Sequence, residues 1–309
     1  MNKIKALRNP INVLFKYIYW PICRAYSRYI VGDRPADPLY SFLCSVQFRL
    51  THRFWPNFAR PRRFSEKLWS LMLFERDPRM TMLTDKLQAR DYVAAKAGNE
   101  YLIPLLWSGE KPEEIPYDQL PLSFVIKANH GCGYNIFVKD KTQLDRATTA
   151  MKLKRWLNEN FCSEKYLGTE WAYKNIKPTI IIEKFIEQNG KLPADYKFWC
   201  FSGRVECVIL YQDRFENLTA KTLDRDFNPI ELRFNVPEYR GVCQRPKNYG
   251  SMVQLAESLA NGFGFVRVDL YNVEGKMLFG ELTFYHGGVS YEFRPASQDY
   301  FFGEKWKQR

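Results

Sequence analysis

VRVDLYNVEGKMLFGELTF, residues 266–284, is the stretch on which the reading of this chain turns. Alternating apolar and polar residues flank Val273, Glu274 and Gly275, the pattern of a β-hairpin whose successive side chains leave opposite faces. With a three-residue loop and Gly275 in the left-handed position, Asn272 is expected to pair with Lys276 and Arg267 to fall opposite Glu281. Arg267, Asp269, Glu281 and Thr283 then share one face, and Val266, Val268, Leu270, Leu282 and Phe284 share the other. Two readings fit the polar face. Neighbouring carboxylates and an arginine suit a hard cation and the phosphates it accompanies. A cross-strand ion pair between Arg267 and Glu281 on a solvated sheet uses the same residues.

Upstream, FVIKANHGCGYNIFVKD (124–140) is an apolar strand ending in Lys127, a loop with Gly131 and Gly133, and a second strand. Backbone amides of such a loop can close over phosphates, with a lysine as a point charge. A glycine hairpin turn looks the same, and the GxxxxGK[ST] order is missing. IIIEKFIE (180–187) is an apolar run that turns abruptly polar, which suits a purine edge or an ordinary buried strand. His130, beside a glycine turn, reads as a residue making local hydrogen bonds, and Cys132 lacks the base partner of a nucleophile. Asp224-Arg225-Asp226 has the DxD form that holds a metal with a nucleotide sugar, yet before Phe227, Asn228 and Pro229 it reads as an exposed turn.

Further strands are expected at 101–106, 196–201 and 205–211. Helical patterns cover 65–87 with Ser65 as N-cap, 85–97 closed by Gly98, 144–161 and 251–261. Strand runs separated by few helices give an α+β order, unlike the βαβ alternation of a doubly wound sheet. Residues 1–60 form a basic, aromatic extension of short helical segments broken by prolines. Within it Leu14, Phe15, Ile18, Tyr19 and Ile22 fall at helical spacing, as in a helix lying in a membrane interface or one packed on the protein body. No run reaches the roughly 18 apolar residues of a spanning helix, and no signal-peptide pattern follows, so a cytoplasmic location, peripheral at most to the membrane, is expected.

The 46 Lys and Arg against 34 Asp and Glu leave a formal charge of +12, which favours anionic partners such as nucleotides, anionic lipid surfaces or acidic polymers. Nucleic acid is not expected, because the basic residues are scattered and accompany no recognition motif. Seven cysteines, odd in number and without metal-ligand spacing, point to a reducing compartment.

In this order FSEKLW, TDKLQARDYV, FVIKANHGCGYNIFVKD, WAYKNIKPTIIIEKFI, DYKFWCFSGRV and GFVRVDLYNVEGKMLFGELTF resemble the ATP-grasp superfamily. The similarity is closer to its TupA-like branch, associated with teichuronopeptide biosynthesis and surface-polysaccharide assembly. The resemblance implies an α+β, two-lobed nucleotide-binding fold over residues 61–309, with a small lobe at about 121–186 and a large lobe at about 61–120 and 187–309. It implies that Arg90 and Lys127 contact the nucleotide phosphates and that the loop with Gly131 and Gly133 covers them. Glu183, Lys184 and Ile186 match the hinge that receives adenine, and Asp195 matches the residue that binds ribose. Lys197 matches a phosphate contact or a structural ion pair. Asp269 and Glu281 match the Mg²⁺ carboxylates, Thr283 stands where many members carry a metal-binding asparagine, and Arg267 matches the arginine near the reacting phosphate.

The implied activity is ATP-dependent carboxylate–amine ligation through an acyl phosphate. Its implied acceptor is a polysaccharide or lipid-linked glycan, modified by an amino acid or peptide. A glycosyltransferase, a sugar kinase of ATP-grasp shape and a nonenzymatic membrane scaffold are the rivals.

Overall fold

In the computed structural model, residues 18–164, 169–188, 190–212, 218–232, 236–289 and 292–307 are described, and their apolar runs assemble two antiparallel sheets. The smaller comprises β1 (Leu105–Gly109), β2 (Phe124–Ala128), β3 (Asn135–Val138) and β4 (Ile180–Lys184) in the order β1-β4-β2-β3. β4 is central, which explains why Ile180, Ile181 and Ile182 are all fully buried. β1 is an edge of this sheet, although the sequence grouped residues 61–120 with the other lobe.

The larger sheet comprises β5 (Asp195–Phe201), β6 (Arg204–Gln212), β7 (Thr219–Asp224), β8 (Phe265–Val273) and β9 (Lys276–Thr283) in the order β7-β6-β5-β8-β9. The hairpin is tighter than expected. Val273 pairs with Lys276, so Glu274 (φ 52) and Gly275 (φ 88) form a two-residue type I′ turn. A bulge at Gly280 then separates the Leu270–Phe279 and Asp269–Glu281 pairs, so Arg267 faces Thr283 and not Glu281. Each offset alone would turn every side chain to the opposite face; together they restore parity. The four polar residues still share a face, while Val266, Val268, Leu270, Leu282 and Phe284 are buried on the other.

The helices are α1 (Trp20–Tyr26), continued by a π-helical turn at Ser27–Val31, α2 (Pro38–His52), α3 (Phe64–Phe74), α4 (Pro78–Thr84), α5 (Gln88–Lys96), α6 (Arg146–Asn158), α7 (Phe161–Glu164), α8 (Tyr249–Ala260) and α9 (Ser297–Lys305). The helix expected over 65–87 is two helices, because Pro78 cannot extend α3 and is instead the first residue of α4, capped by Asp77. Ser65 is not the N-cap of α3. Arg63 holds that position, with Glu66 accepting the Arg62 and Arg63 backbone N–H groups. The Ser65 amide and hydroxyl both donate to Asp299 on α9, at 2.8 and 2.7 Å.

That link clamps α9 over an aromatic core: the Phe64 ring lies 5.1 Å from Trp199 and 4.8 Å from Phe265, with Phe302 and Trp306 closing the other side. The amino-terminal helices join the same core through Cys23, Tyr40, Cys44 and Phe48. The stripe expected there divides. Tyr19 packs inward and its hydroxyl donates to the Leu43 carbonyl, whereas Ile18 and Ile22 are 53% and 52% exposed. Leu14 and Phe15 lie outside the described residues. Among the described residues no helix is long and apolar enough to cross a membrane.

Candidate functional site

A cleft of about 330 Å³ opens between the two sheets, lined from the smaller one by Val125 and Lys127 of β2, Asn135 and Phe137 of β3, and Glu183 and Lys184 of β4. From the larger sheet come Asp195 and Lys197 of β5, Tyr211 of β6, Arg267, Asp269 and Tyr271 of β8, and Glu281 of β9. Ile186, Leu192 and Pro193, from the crossing between the sheets, give it an apolar end. An apolar end beside converging charges suits a ligand with a flat ring and an anionic tail.

The carboxylate end is a dense ion network. Arg267 holds Asp269 with two hydrogen bonds, Nε to Oδ1 at 2.6 Å and Nη2 to Oδ2 at 2.7 Å, and reaches Glu281 Oε1 at 2.7 Å. Lys197 Nζ lies 2.9 Å from Asp195 Oδ2 and also pairs with Asp269. The ion pair between Arg267 and Glu281 is thus present, but inside a cleft and not on a solvated sheet: Arg267 is 8% and Asp269 2% exposed. Burial raises the Asp269 carboxyl, opposed by Arg267 and Lys197. Burial also pushes Glu281 up, yet the charges of Lys86, Arg267 and Lys197 outweigh it and hold the group at about 2. Glu281 is therefore anionic at any working pH, and its Oε2 accepts no hydrogen bond among the described residues. Both Asp269 oxygens are held by Arg267 and Lys197, so Glu281 Oε2, in the wall of the cleft, is the carboxylate oxygen left for a Mg²⁺ ion, which would keep several waters or phosphate oxygens.

The expected nucleotide residues fall into two groups. Lys127, Gly133, Glu183, Lys184, Ile186, Asp195 and Lys197 line the cleft. Arg90, Gly131 and Thr283 are not among its lining residues. Arg90 stands behind Glu183, donating to its Oε1 at 2.9 Å and to the Ile103 carbonyl at 2.8 Å, while Lys127 Nζ takes Glu183 Oε2 at 2.5 Å. Glu183 is thus 7% exposed between two cations, and Arg90 acts by fixing it. The Gly131 carbonyl accepts from Lys86 Nζ at 2.6 Å, and a side chain there would strike the Tyr134 and Phe161 rings. Thr283 Oγ1 donates to Glu281 Oε1 at 3.2 Å and orients it.

Two participants escaped the sequence reading. Lys86 lines the cleft and acts on Glu281; its signal was the Asp-Lys pair preceding α5. His286 backs the guanidinium, with Nδ1 3.1 Å from Arg267 Nη1 and its ring edge-on to Trp199. Burial and the Arg267 charge keep this imidazole neutral, so Nδ1 accepts. The residue adjoins the hairpin, but nothing in YHGG marks it as a support. His130 makes one local bond of the kind expected, to Asn129 Oδ1, and a second across the fold to the Trp156 carbonyl at the end of α6. In the DxD triplet, Asp224 Oδ1 accepts the Asp226 and Asn228 amides and Arg225 pairs with Glu257, which is an Asx-type turn.

The sequence profile of the family described as TupA-like ATPgrasp matches residues 66–307. Among solved structures, D-alanine–D-alanine ligase from Helicobacter pylori aligns at 11% identity and a TM-score of 0.41, covering 74% of this chain and 62% of that one. The same enzyme from Bacillus anthracis, complexed with ATP, aligns at 14% identity and 0.39, covering 66% and 54%. The ATP-grasp ligase PsnB, complexed with a phosphomimetic variant of its minimal precursor, Mg and ADP, aligns at 12% and 0.36, covering 67% and 51%. The chain spans between about half and three fifths of the length of these structures. No curated protein matches the chain. On the profile that covers the cleft and both of its sheets, the chain belongs to the TupA-like ATP-grasp family.

Proposed function

We propose that the protein is an ATP-dependent ligase that joins a carboxylate to an amine, with ATP in the cleft between the sheets. The observation that carries the reading is the paired Asp269 and Glu281, two carboxylates on adjacent strands facing the same space as Lys86, Lys127 and Lys197. Ile186, Leu192 and Pro193 would pack against the adenine and Asp195 would meet the ribose. Lys127 and Lys197, with Gly133 of the loop, would draw in the phosphates. Asp269 and Glu281, with Thr283 orienting the latter, would hold Mg²⁺, which neutralises phosphate oxygens when bound. Arg267, fixed from behind by His286, is positioned to stabilise charge on the transferring phosphoryl group. The carboxylate substrate would attack the γ-phosphate, breaking its bond to the β,γ-bridging oxygen and releasing ADP, and the amine would then displace phosphate from the acyl phosphate, losing a proton as the amide forms.

Membership of the TupA-like branch supports an acceptor from surface-polysaccharide assembly, a glycan or its lipid-linked precursor modified by an amino acid or peptide. The +12 charge and the exposed Ile18 and Ile22 support work at an anionic membrane surface. Product analysis with ATP, Mg²⁺ and candidate acceptors tests the reaction: ADP, phosphate and a new amide are expected. A phosphorylated sugar with ADP would make the protein a kinase, and turnover of a nucleotide sugar without ATP would sink the ligase reading.

A further inference from the structure

A second cavity, of about 70 Å³, lies where α1 and its π-helical continuation meet the segment leading into β4. Four of the side chains in its wall are basic: Arg24, Arg28, Arg76 and Lys174. Arg24 and Arg28, four residues apart on one helical stretch, share a face. Arg24 Nε is buried and has no hydrogen-bond partner among the described residues. Arg76 donates from all three guanidinium nitrogens to backbone carbonyls, Nε to Arg34 at 3.2 Å, Nη1 to Met72 and Glu75 at 3.2 and 2.6 Å and Nη2 to Leu73 at 3.0 Å, and its side chain has no carboxylate partner among the described residues. One carboxylate answers the cluster, Asp33, whose Oδ1 is 3.0 Å from Lys174 Nζ. Glu170, between the lining residues Thr169 and Trp171, is 3% exposed, and burial lifts its carboxyl to about 8, so it adds no charge at neutral pH. Arg24, Arg28 and Arg76 lie over the Trp20, Tyr29 and Trp171 rings, which steadies each guanidinium but neutralises none, so the gathered charges still repel.

We propose that this cavity binds a phosphoryl group, a phosphomonoester or phosphodiester held by Arg24, Arg28 and Lys174 with the charge of Arg76 behind them. Arginine forks match phosphate oxygens, and several cations suit a dianion better than a single carboxylate. Size agrees. One water needs about 10–15 Å³ by this measure, so the cavity takes a few waters' worth of ligand, a tetrahedral oxyanion and not a nucleotide. The phosphate site does not rest on the ligase reading.

Two sources share this chemistry, a soluble phosphate ester and the phosphate of a membrane lipid, and one set of measurements separates them. The full chain is titrated calorimetrically with inorganic phosphate, glycerol 3-phosphate and acetate, and floated with phosphatidylglycerol or phosphatidylcholine vesicles. Saturable phosphate binding that the double variant Arg24→Ala, Arg28→Ala weakens at least tenfold, with no acetate binding, supports a site for soluble esters. Capture on phosphatidylglycerol vesicles alone, lost in the same variant, supports a lipid phosphate. The pair Arg24→Lys, Arg28→Lys, which keeps the charge, should lose less, and Lys174→Gln replaces the alanine variant if that one melts early. Failure of every phosphate probe to bind, or equal binding by parent and well-folded variants, overturns the proposal. A nonhydrolysable ATP analogue should bind parent and variants alike; its failure to bind the parent would sink the ligase reading while leaving the phosphate result to stand.

Discussion

Asp269 and Glu281 face the same space but differ in what their loss would do. Asp269 neutralises Arg267 and Lys197 inside the protein, so Asp269→Asn leaves two buried cations undercompensated, at about 3–5 kcal/mol for a broken buried pair. Its variant should lose stability and activity together. The Glu281 side chain is 30% exposed and shares Arg267 with Asp269, so Glu281→Gln should cost less stability than Asp269→Asn while ATP turnover falls by roughly 100-fold or more. Equal activity of Glu281→Gln and parent would remove the carboxylate from the mechanism. Glu170 gives a different signature. Its folded-state value near 8 lies above the ordinary 4.5, so the folded chain binds the extra proton between those values. The Glu170 contribution to stability should therefore be complete below about 4.5 and be lost as pH rises towards 8, at up to about 1.4 kcal/mol per pH unit. Glu170→Gln should flatten that part of the curve in denaturant titrations; an unchanged slope would contradict the assignment. None of this was legible from sequence, where Glu170 is one polar residue before an aromatic run and its burial depends on partners far along the chain.

Strand alternation made the shared polar face legible, because parity needs only the period of two. The register was not: a glycine after Glu274 suits either a two- or a three-residue turn, and Gly280 gives no local sign of a bulge. That glycine has a use. A Cβ there would stand 3.1 Å from the Asp269 carbonyl and 3.2 Å from the Tyr271 ring, so Gly280→Ala should shift β9 beside Glu281 and cost activity out of proportion to stability. Gly303 works at an element contact instead, where a Cβ would come within 2.1 Å of the Arg62 carbonyl and lift α9 from α3. Gly303→Ala should lower the denaturation midpoint by about 1–3 kcal/mol equivalent, the usual range for overpacking, and a neutral effect would mean that α9 does not bear on the fold. The sequence missed α9 for a related reason. SQDYFFGEK has weak periodicity, and the partners that hold it, Ser65 and Phe64, lie more than 200 residues earlier.

For the whole molecule, the sequence divided residues 1–60 from the catalytic remainder, and composition alone favours that division. The core crosses it. Tyr40, Cys44 and Phe48 are buried, and Phe48 stacks edge-on to Trp69 with ring centres 5.9 Å apart. Removing one buried aromatic costs about 3–5 kcal/mol against a total of about 5–15 for a typical domain, so a chain beginning at residue 61 should be insoluble or lose its cooperative melt. A soluble, cooperatively melting truncation would restore the extension to the status of an appendage. What the sequence carried over this distance was chemistry: Lys127, Glu183, Asp195, Asp269 and Glu281 lie far apart in order and line one cleft. Arg90, Gly131 and Thr283 show the limit, since motif position does not reveal whether a side chain faces a ligand or supports one that does. The central claim is that this cleft holds ATP through Mg²⁺ on Asp269 and Glu281. Calorimetric binding of a nonhydrolysable ATP analogue, with and without Mg²⁺, to the parent and to Glu281→Gln tests it most directly. Mg²⁺-dependent binding to the parent, weakened at least tenfold in the variant, is the expected result; equal affinity in the two proteins, or no binding to the parent, would contradict it.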